Sequence, residues 1–414
     1  MMISVEQALD IILSDISVIG QERLPITLAL DRVLAEDVVS TRDNPLWDNS
    51  AMDGYAVISE DTKGASRDNP VILNVAGDLP AGYVAKNRLK NGEAIRIMTG
   101  APVPEGADAV VMVEDTERQS GVRSQKSEVK IFKEAKHGDN IRKAGEDFKK
   151  GDLLIKKSTV IRHIEIGVMA AIGKSFASVY QRPKVAVLAT GDELVEVDEP
   201  LDKGKIGNTN SYILSAQIRA CGAEPVYIGI ARDRREDLKE KLKIASKSDC
   251  IVSSGGVSVG DFDLVKDVLR EMGTEMRFWK VAMKPGKPLA FGIINGKPCF
   301  GLPGNPISSL VVFEQFVRPS ILKMLGRTNI YRKTLMAVLT KDIKKKADRT
   351  HFVRAVLRTE GDKYYAEPLE GQGSGMLASF VSSNCLIVLP REETVFKKGD
   401  LVRTQLIDDS FLYQ

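Results

Sequence analysis

Apolar residues at Val5, Ala8, Leu9, Ile12 and Leu13 share one helical face, and Ser4 with Gln7 forms a capping box that opens the helix. From about Asp43 the texture changes. Short apolar runs (PVILNV 70–75, AIRIM 94–98, AVVMVED 109–115) alternate with turns such as Pro80-Ala81-Gly82 and Asn91-Gly92. That alternation predicts a small β-rich module. Residues 158–176 return to a helical pattern, so the module reads as an insertion into a helical domain.

Past Arg182-Pro183 the pattern becomes that of a doubly wound α/β domain. Strands are predicted at 184–190, 225–230, 249–254 and 277–283, with short ones near 289 and 299. Helices lie between them. One is predicted to be capped at Asp233, with Glu236 three residues on. Another carries Leu264, Val265, Val268, Leu269 and Met272 at helical spacing, and Asn305-Pro306 opens the last. Beyond Gly326 five strand-like runs (334–340, 351–358, 364–369, 385–390, 401–407) predict a small β-barrel or sandwich. The fold class is therefore multidomain, α/β and β. A helical N-terminal domain spans 1–45 and 148–180, a β-rich module 46–147, an α/β domain 181–326 and a β-barrel-like domain 327–414.

Composition narrows the function. The chain has 414 residues, 43% of them hydrophobic and 28% charged, enough for several cores and too ordered in texture for a disordered protein. Its 59 basic and 56 acidic residues leave a net charge of +3, which gives no case for a whole-chain nucleic-acid binder. The four cysteines form no CxxC pair and sit in or beside apolar runs, as buried thiols in a reducing cytoplasm do. Three histidines are too few for a His-rich zinc or haem site. No run of 18 apolar residues exists, and Glu6, Asp10 and Asp15 interrupt the N-terminal segment. A signal peptide and a membrane span are thus not expected.

Two motifs mislead. Gly256-Val257-Ser258-Val259-Gly260 matches the G-x-S-x-G elbow of hydrolases, yet the sole downstream histidine, His351, falls in the next domain. Gly255 and Gly256 fit better as a close backbone approach to a ligand at a strand end. GVMAAIGKS (167–175) resembles a phosphate loop but has the wrong spacing and no preceding strand.

Lys280, Lys284 and Lys287 crowd into FWKVAMKPGKP (278–288), where Pro285, Gly286 and Pro288 fix the loop. Three ammonium groups on a stiff loop suit a phosphate or another multiply charged oxyanion. Asp192, Glu193, Asp233, Asp261 and Asp263 each follow a predicted strand. In an open α/β sheet such strand ends meet at one crevice. Carboxylates and lysines there point to Mg²⁺ with a phosphorylated ligand. The loop GLPGNP (301–306) is a further anion-binding candidate. In the β module DNSAMDGYA (48–56), Thr99 and Asp147 add polar groups, and their spacing does not show that they face the lysines.

Together DNSAMDGYA (48–56), IRIMTGAPVPEGADAVV (95–111), RKAGED (142–147), ATGDEL (189–194), SSGGVSVGD (253–261), FWKVAMKPGKP (278–288) and GLPGNP (301–306) resemble the molybdopterin molybdenumtransferases, the MoeA-like family related to the C-terminal region of gephyrin. The resemblance runs from about Ser4 to Ile407. It implies a cytoplasmic, Mg²⁺-dependent homodimer in which 181–326 binds molybdopterin and 1–45 with 148–180 links the subunits. It also implies that the β module of one subunit covers the α/β domain of the other.

The activity implied is insertion of molybdate, or tungstate, into adenylylated molybdopterin with release of AMP. The molybdopterin adenylyltransferase is a possible partner; nucleic acid and membrane are not. By residue-for-residue match, Asp53, Thr99, Asp147, Glu193, Asp233, Asp263, Lys280 and Lys284 occupy catalytic positions, with Glu193, Asp233 and Asp263 as metal ligands. Gly255, Gly256, Ser258, Lys287, Pro303, Asn305, Arg349 and Ser374 fall in binding loops. One departure is Asn208, in IGNTN (206–210), where relatives often carry an acid. The metal-ion count and the choice of molybdate or tungstate stay open on that account. A gephyrin-like scaffold and the adenylylating enzyme are the rival classes.

Overall fold

The computed structural model describes residues 2–119, 127–256 and 264–408. Ser258, Asp261 and Asp263 lie outside the described residues, so the expectations placed on them are not addressed by it. The chain forms two compact units. One comprises Met1–Glu36, Ser158–Arg162 and Phe176–Gln414; the other comprises Asp37–Lys157 and His163–Ser175.

The larger unit is built on a six-stranded mixed sheet in the order Glu224–Ala231, Lys184–Thr190, Cys250–Ser254, Lys297–Leu302, Pro288–Ile294, Glu275–Lys280. The first four strands pair in parallel and the last two antiparallel. Parallel central strands are covered on both faces, so KVAVLAT and CIVSS read as almost unbroken apolar runs. Val185, Val187, Phe291 and Phe300 face one layer of helices, and Ala186, Leu188 and Ile251 face the other. The helix Val5–Ser14 joins the first layer through Val5, Ala8 and Ile12, and its Ser4–Gln7 capping box is formed in both directions.

The same unit ends in a closed barrel. Thr350–Glu360 pairs with Lys363–Pro368, then Thr334–Leu339, Leu401–Leu406 and Cys385–Leu389, which returns to Thr350–Glu360. Closure leaves no edge among these five strands. All four cysteines are buried thiols. Burial pushes Cys221, Cys299 and Cys385 up to about 12, so they stay protonated and inert.

The smaller unit holds a six-stranded sheet in the order Ala109–Met112, Gly54–Val57, Glu93–Ile97, Val71–Leu79, Glu128–Ile131, Thr116–Gln119. Tyr55, Val57, Leu73 and Val111 fill its core. The apolar stretch 158–176 is not one helix. It yields a helix His163–Ala171 and then, after a turn at Gly173, the strand Phe176–Tyr180.

Candidate functional site

The strands Lys184–Thr190 and Cys250–Ser254 lie side by side. The chain leaves the first toward one sheet edge and the second toward the other, which makes their carboxyl ends the topological switch point where α/β sheets bind ligands. A cavity of about 590 Å³ opens there, lined by Thr190, Glu193, Asn208, Gly255, Pro303 and Asn305 among others. Gly255 and Gly256 sit at φ +93 and +66. A Cβ on Gly255 would lie 2.5 Å from the Thr190 carbonyl oxygen, and one on Gly256 2.2 Å from Val265 Cγ2. Only glycine fits the turn that caps this strand end. Asn210 Nδ2 donates to Ser254 Oγ and to the Gly304 carbonyl, both at 2.7 Å, tying the two glycine loops together.

The acids divide. Glu193 lines the cavity, whereas Asp233 stands beside Asp192, and the two exchange contacts. The Asp233 amide donates to Asp192 Oδ1 at 3.1 Å, and the Asp192 amide to Asp233 Oδ2 at 3.4 Å. Asp233 does not cap the following helix. That helix is Arg235–Ala245 with no side-chain cap, and Asp237 takes up the Arg232 amide at 2.6 Å. Asn305 holds the N-cap position of Pro306–Val312 without a side-chain capping bond. Asn208 caps Thr209–Ala220 and donates to the Tyr227 hydroxyl at 2.8 Å, so it is fully used by the fold. Among the described residues no three Asp, Glu, His or Cys side chains gather as a metal site.

A second cavity, about 1130 Å³, is lined by Lys284, Lys287, Lys345, Arg349, His351 and Ser374 among others. Pro288 lines both cavities, so the two adjoin. Lys284 is placed by the two-residue strand Met283–Lys284, which pairs in parallel with Thr350–His351. Lys280 sits opposite Pro288 on the outermost strand, exposed, and lines neither cavity. Arg349 is engaged by Asp348, Nε to Oδ2 at 3.0 Å. Burial, then Lys284 and Lys345, lowers His351 to about 4.

Sequence reasoning missed Arg354. It is 1% exposed, and its Nη2 donates to the carbonyls of Gly371 at 2.7 Å and Gly373 at 3.2 Å. Gln372 reinforces the contact by bonding both the amide and the carbonyl of Arg354. Arg354 thus places the 371–374 loop that brings Ser374 to the basic cavity. The available signal was an arginine standing inside the apolar strand HFVRAVL.

In the smaller unit Asp53 Oδ1 accepts from the Thr99 amide at 2.7 Å and from its hydroxyl at 2.8 Å, which holds the Asp53 carboxyl below its ordinary range. Asn44 donates to Asp147 at 2.8 Å. Asp48 accepts from Lys143 Nζ at 2.9 Å and the Ala144 amide at 2.8 Å. A Cβ on Gly54 would sit 1.9 Å from the Val111 carbonyl oxygen, so the motif needs glycine beside Asp53.

The fold is that of a multidomain α/β protein whose switch-point crevice is glycine-lined and adjoins a lysine-rich cavity. Three family models match: MoeA N-terminal region (domain I and II) over residues 3–173, a probable molybdopterin binding domain over 186–323, and MoeA C-terminal region (domain IV) over 336–407. The chain is 39% identical to a molybdopterin molybdenumtransferase of Bacillus subtilis, covering 92% of this chain and 88% of the relative. It is 38% identical to one of Nostoc, over 93% and 88%. The crystal structure of a molybdopterin biosynthesis MoeA protein from Pyrococcus horikosii superposes with a TM-score of 0.85 at 36% identity, covering 98% of this chain and 99% of that one. The chain belongs to the molybdopterin molybdenumtransferase, or MoeA, family.

Proposed function

We propose that this protein completes molybdenum-cofactor synthesis: it takes adenylylated molybdopterin and molybdate, inserts the metal at the dithiolene and releases AMP. The observation that carries this is the meeting of the two cavities at Pro288. One offers glycine backbone and a few polar groups, which suits a pterin. The other offers several cations, which suits a tetrahedral oxyanion. Lys284 and Lys287 hold the oxyanion through charged hydrogen bonds. Water attacks the adenylyl phosphorus, the anhydride bond breaks, and the lysine field stabilises the negative charge that passes to the molybdopterin phosphate as AMP departs. Thr190, Gly255 and Gly256 shape the wall against which the pterin lies. Tungstate has the same charge and shape and is a substrate of the same class.

Magnesium is not placed. Glu193 and Asp233 are the described acids nearest the role; they do not by themselves make a coordination shell, and no step here passes through a bound cation. A cytoplasmic homodimer, four domains with the boundaries given above, catalytic roles for Asp53, Thr99 and Asp147, and delivery of substrate by the adenylyltransferase complete the proposal. Supplying the purified chain with adenylylated molybdopterin, Mg²⁺ and molybdate tests it. Molybdate-dependent AMP release with formation of active cofactor is the expected result. ATP-dependent adenylylation of free molybdopterin would instead mark the rival enzyme.

A further inference from the structure

His351 is a feature of the basic cavity that the proposed reaction does not use. It lies on the barrel strand Thr350–Glu360, directly across from Lys284 in the parallel pair. On its other side the strand Cys385–Leu389 sets the apolar Leu389 opposite it. From the loop before it come Lys345, Asp348 and Arg349. His351 Nε2 and Asp348 Oδ1 are both buried without a hydrogen-bond partner, 3.8 Å apart. A neutral imidazole beside an unpaired carboxylate oxygen is an ion pair one proton short.

We propose that His351 makes the cavity selective for dianions: entry of a tetrahedral dianion draws one proton from solvent onto the imidazole, which then pairs through Nε2 with Asp348 Oδ1. This rests on the reading of the lysine-lined cavity as the oxyanion site. The balance is simple. Burial is the largest influence on the ring, and Lys284, Lys345 and Arg349 add to it against one acid, Asp348, so the ring stays neutral down to about pH 4. A dianion bound among these cations, with Lys287, Lys344 and Lys346 also lining the cavity and Asp342 opposing them, offsets their share and leaves burial opposed by Asp348, so the ring's proton affinity rises. A monoanion offsets less and leaves the ring neutral. The coupling also sets the sign of the pH effect. The liganded state binds the extra proton, so affinity rises as pH falls, by at most about tenfold per pH unit for one proton. Solvent supplies the proton and no bond is made to the oxyanion.

The chain has three histidines, His137, His163 and His351, so imidazole resonances can be assigned by single substitutions. The full chain carrying ¹³C-labelled histidine is titrated between about pH 5.5 and 8, around the ordinary histidine range, with no added ion, with chloride, and with molybdate. His351→Gln assigns the line, and thermal melting confirms that the variant is folded; His351→Asn serves the same purpose if it is not. The expected result is a His351 line that stays neutral across the range alone and in chloride, and titrates within it in molybdate. His351→Gln should remove the pH dependence of molybdate binding. Saturable molybdate binding, weakened by Lys284→Ala, with a His351 line that never titrates would overturn the proposal and leave the oxyanion site standing. Absence of saturable molybdate binding in the wild-type chain would overturn both.

Discussion

Thr99 gives Asp53 both of its donors: backbone N–H at 2.7 Å and side-chain hydroxyl at 2.8 Å converge on the same oxygen, Oδ1. A carboxylate held this way is favoured in its charged form, and its folded-state value lies below the ordinary one. A depressed carboxylate contributes stability that is present above its unfolded value, about 3.9, and is lost as pH falls through the folded value. Thr99→Val removes the hydroxyl and spares the amide. The variant should melt earlier than wild type near neutral pH, and the gap should shrink in acid. Thermal unfolding at about pH 7 and about pH 3 checks this. An equal gap at both values contradicts it.

The glycines at the switch point should be intolerant of any side chain. Gly255→Ala sets a Cβ 2.5 Å from the Thr190 carbonyl at a φ of +93. The backbone strain alone costs about 1–3 kcal/mol. The turn must move away from Thr190 to relieve the clash, which reshapes the cavity. Melting should fall and pterin affinity should drop together. A Gly255→Ala protein with wild-type pterin affinity would show that this turn does not form the binding wall.

Arg354 should be a structural keystone of the oxyanion site without belonging to it. Arg354→Met deprives the Gly371 and Gly373 carbonyls of a charged donor, a loss of about 1.5–3 kcal/mol. It also frees the loop that carries Ser374. Both thermal stability and molybdate affinity should fall. Lys284→Ala, at an exposed position, should lower affinity while melting as wild type. Calorimetric melting beside a molybdate titration separates the two. An Arg354→Met protein that melts normally would remove the positioning role.

Much of this was legible in the chain because local pattern and tertiary environment agree. KVAVLAT is a strand whose ends match its apolar run, since a parallel strand covered on both faces leaves no polar position to blur it. The capping box at Ser4 and the buried cysteines were readable for similar reasons. Three features were not. Asp233 has the spacing of an N-cap, but Asp192, forty-one positions away along the chain, holds it instead. Arg349 and Arg354 are alike to a sequence reader. Burial separates them: one pairs with Asp348, while the other is buried on the face of the barrel strand that points away from the barrel core, holding Gly371. Within the helical-looking stretch 158–176 only His163–Ala171 is helix, and at Phe176 the chain enters a strand because the distant strand Gln21–Pro25 pairs with Phe176–Tyr180.

Whether Asp53 and Lys284 serve one site across two subunits can be asked directly. Asp53→Asn and Lys284→Ala, assayed at a molybdate concentration too low for either variant to turn over alone, are unfolded and refolded together. In a dimer with shared sites, a mixed pair has one doubly damaged site and one native site. Random pairing makes about half of the dimers mixed, so roughly a quarter of wild-type activity should return. No recovery, with mixed dimers confirmed by mass, would place the whole site within one chain.

The central claim is that the lysine-lined cavity feeds molybdate to a pterin held at the switch point, and single-turnover AMP release reads it most directly. Purified protein loaded with adenylylated molybdopterin and Mg²⁺ is mixed with molybdate over a range of concentrations. AMP should appear only with molybdate, in step with active cofactor. Lys284→Ala should need about 10- to 100-fold more molybdate for the same rate, as expected for loss of one charged hydrogen bond. AMP release that ignores molybdate, or a Lys284→Ala protein with an unchanged molybdate requirement, would contradict the account.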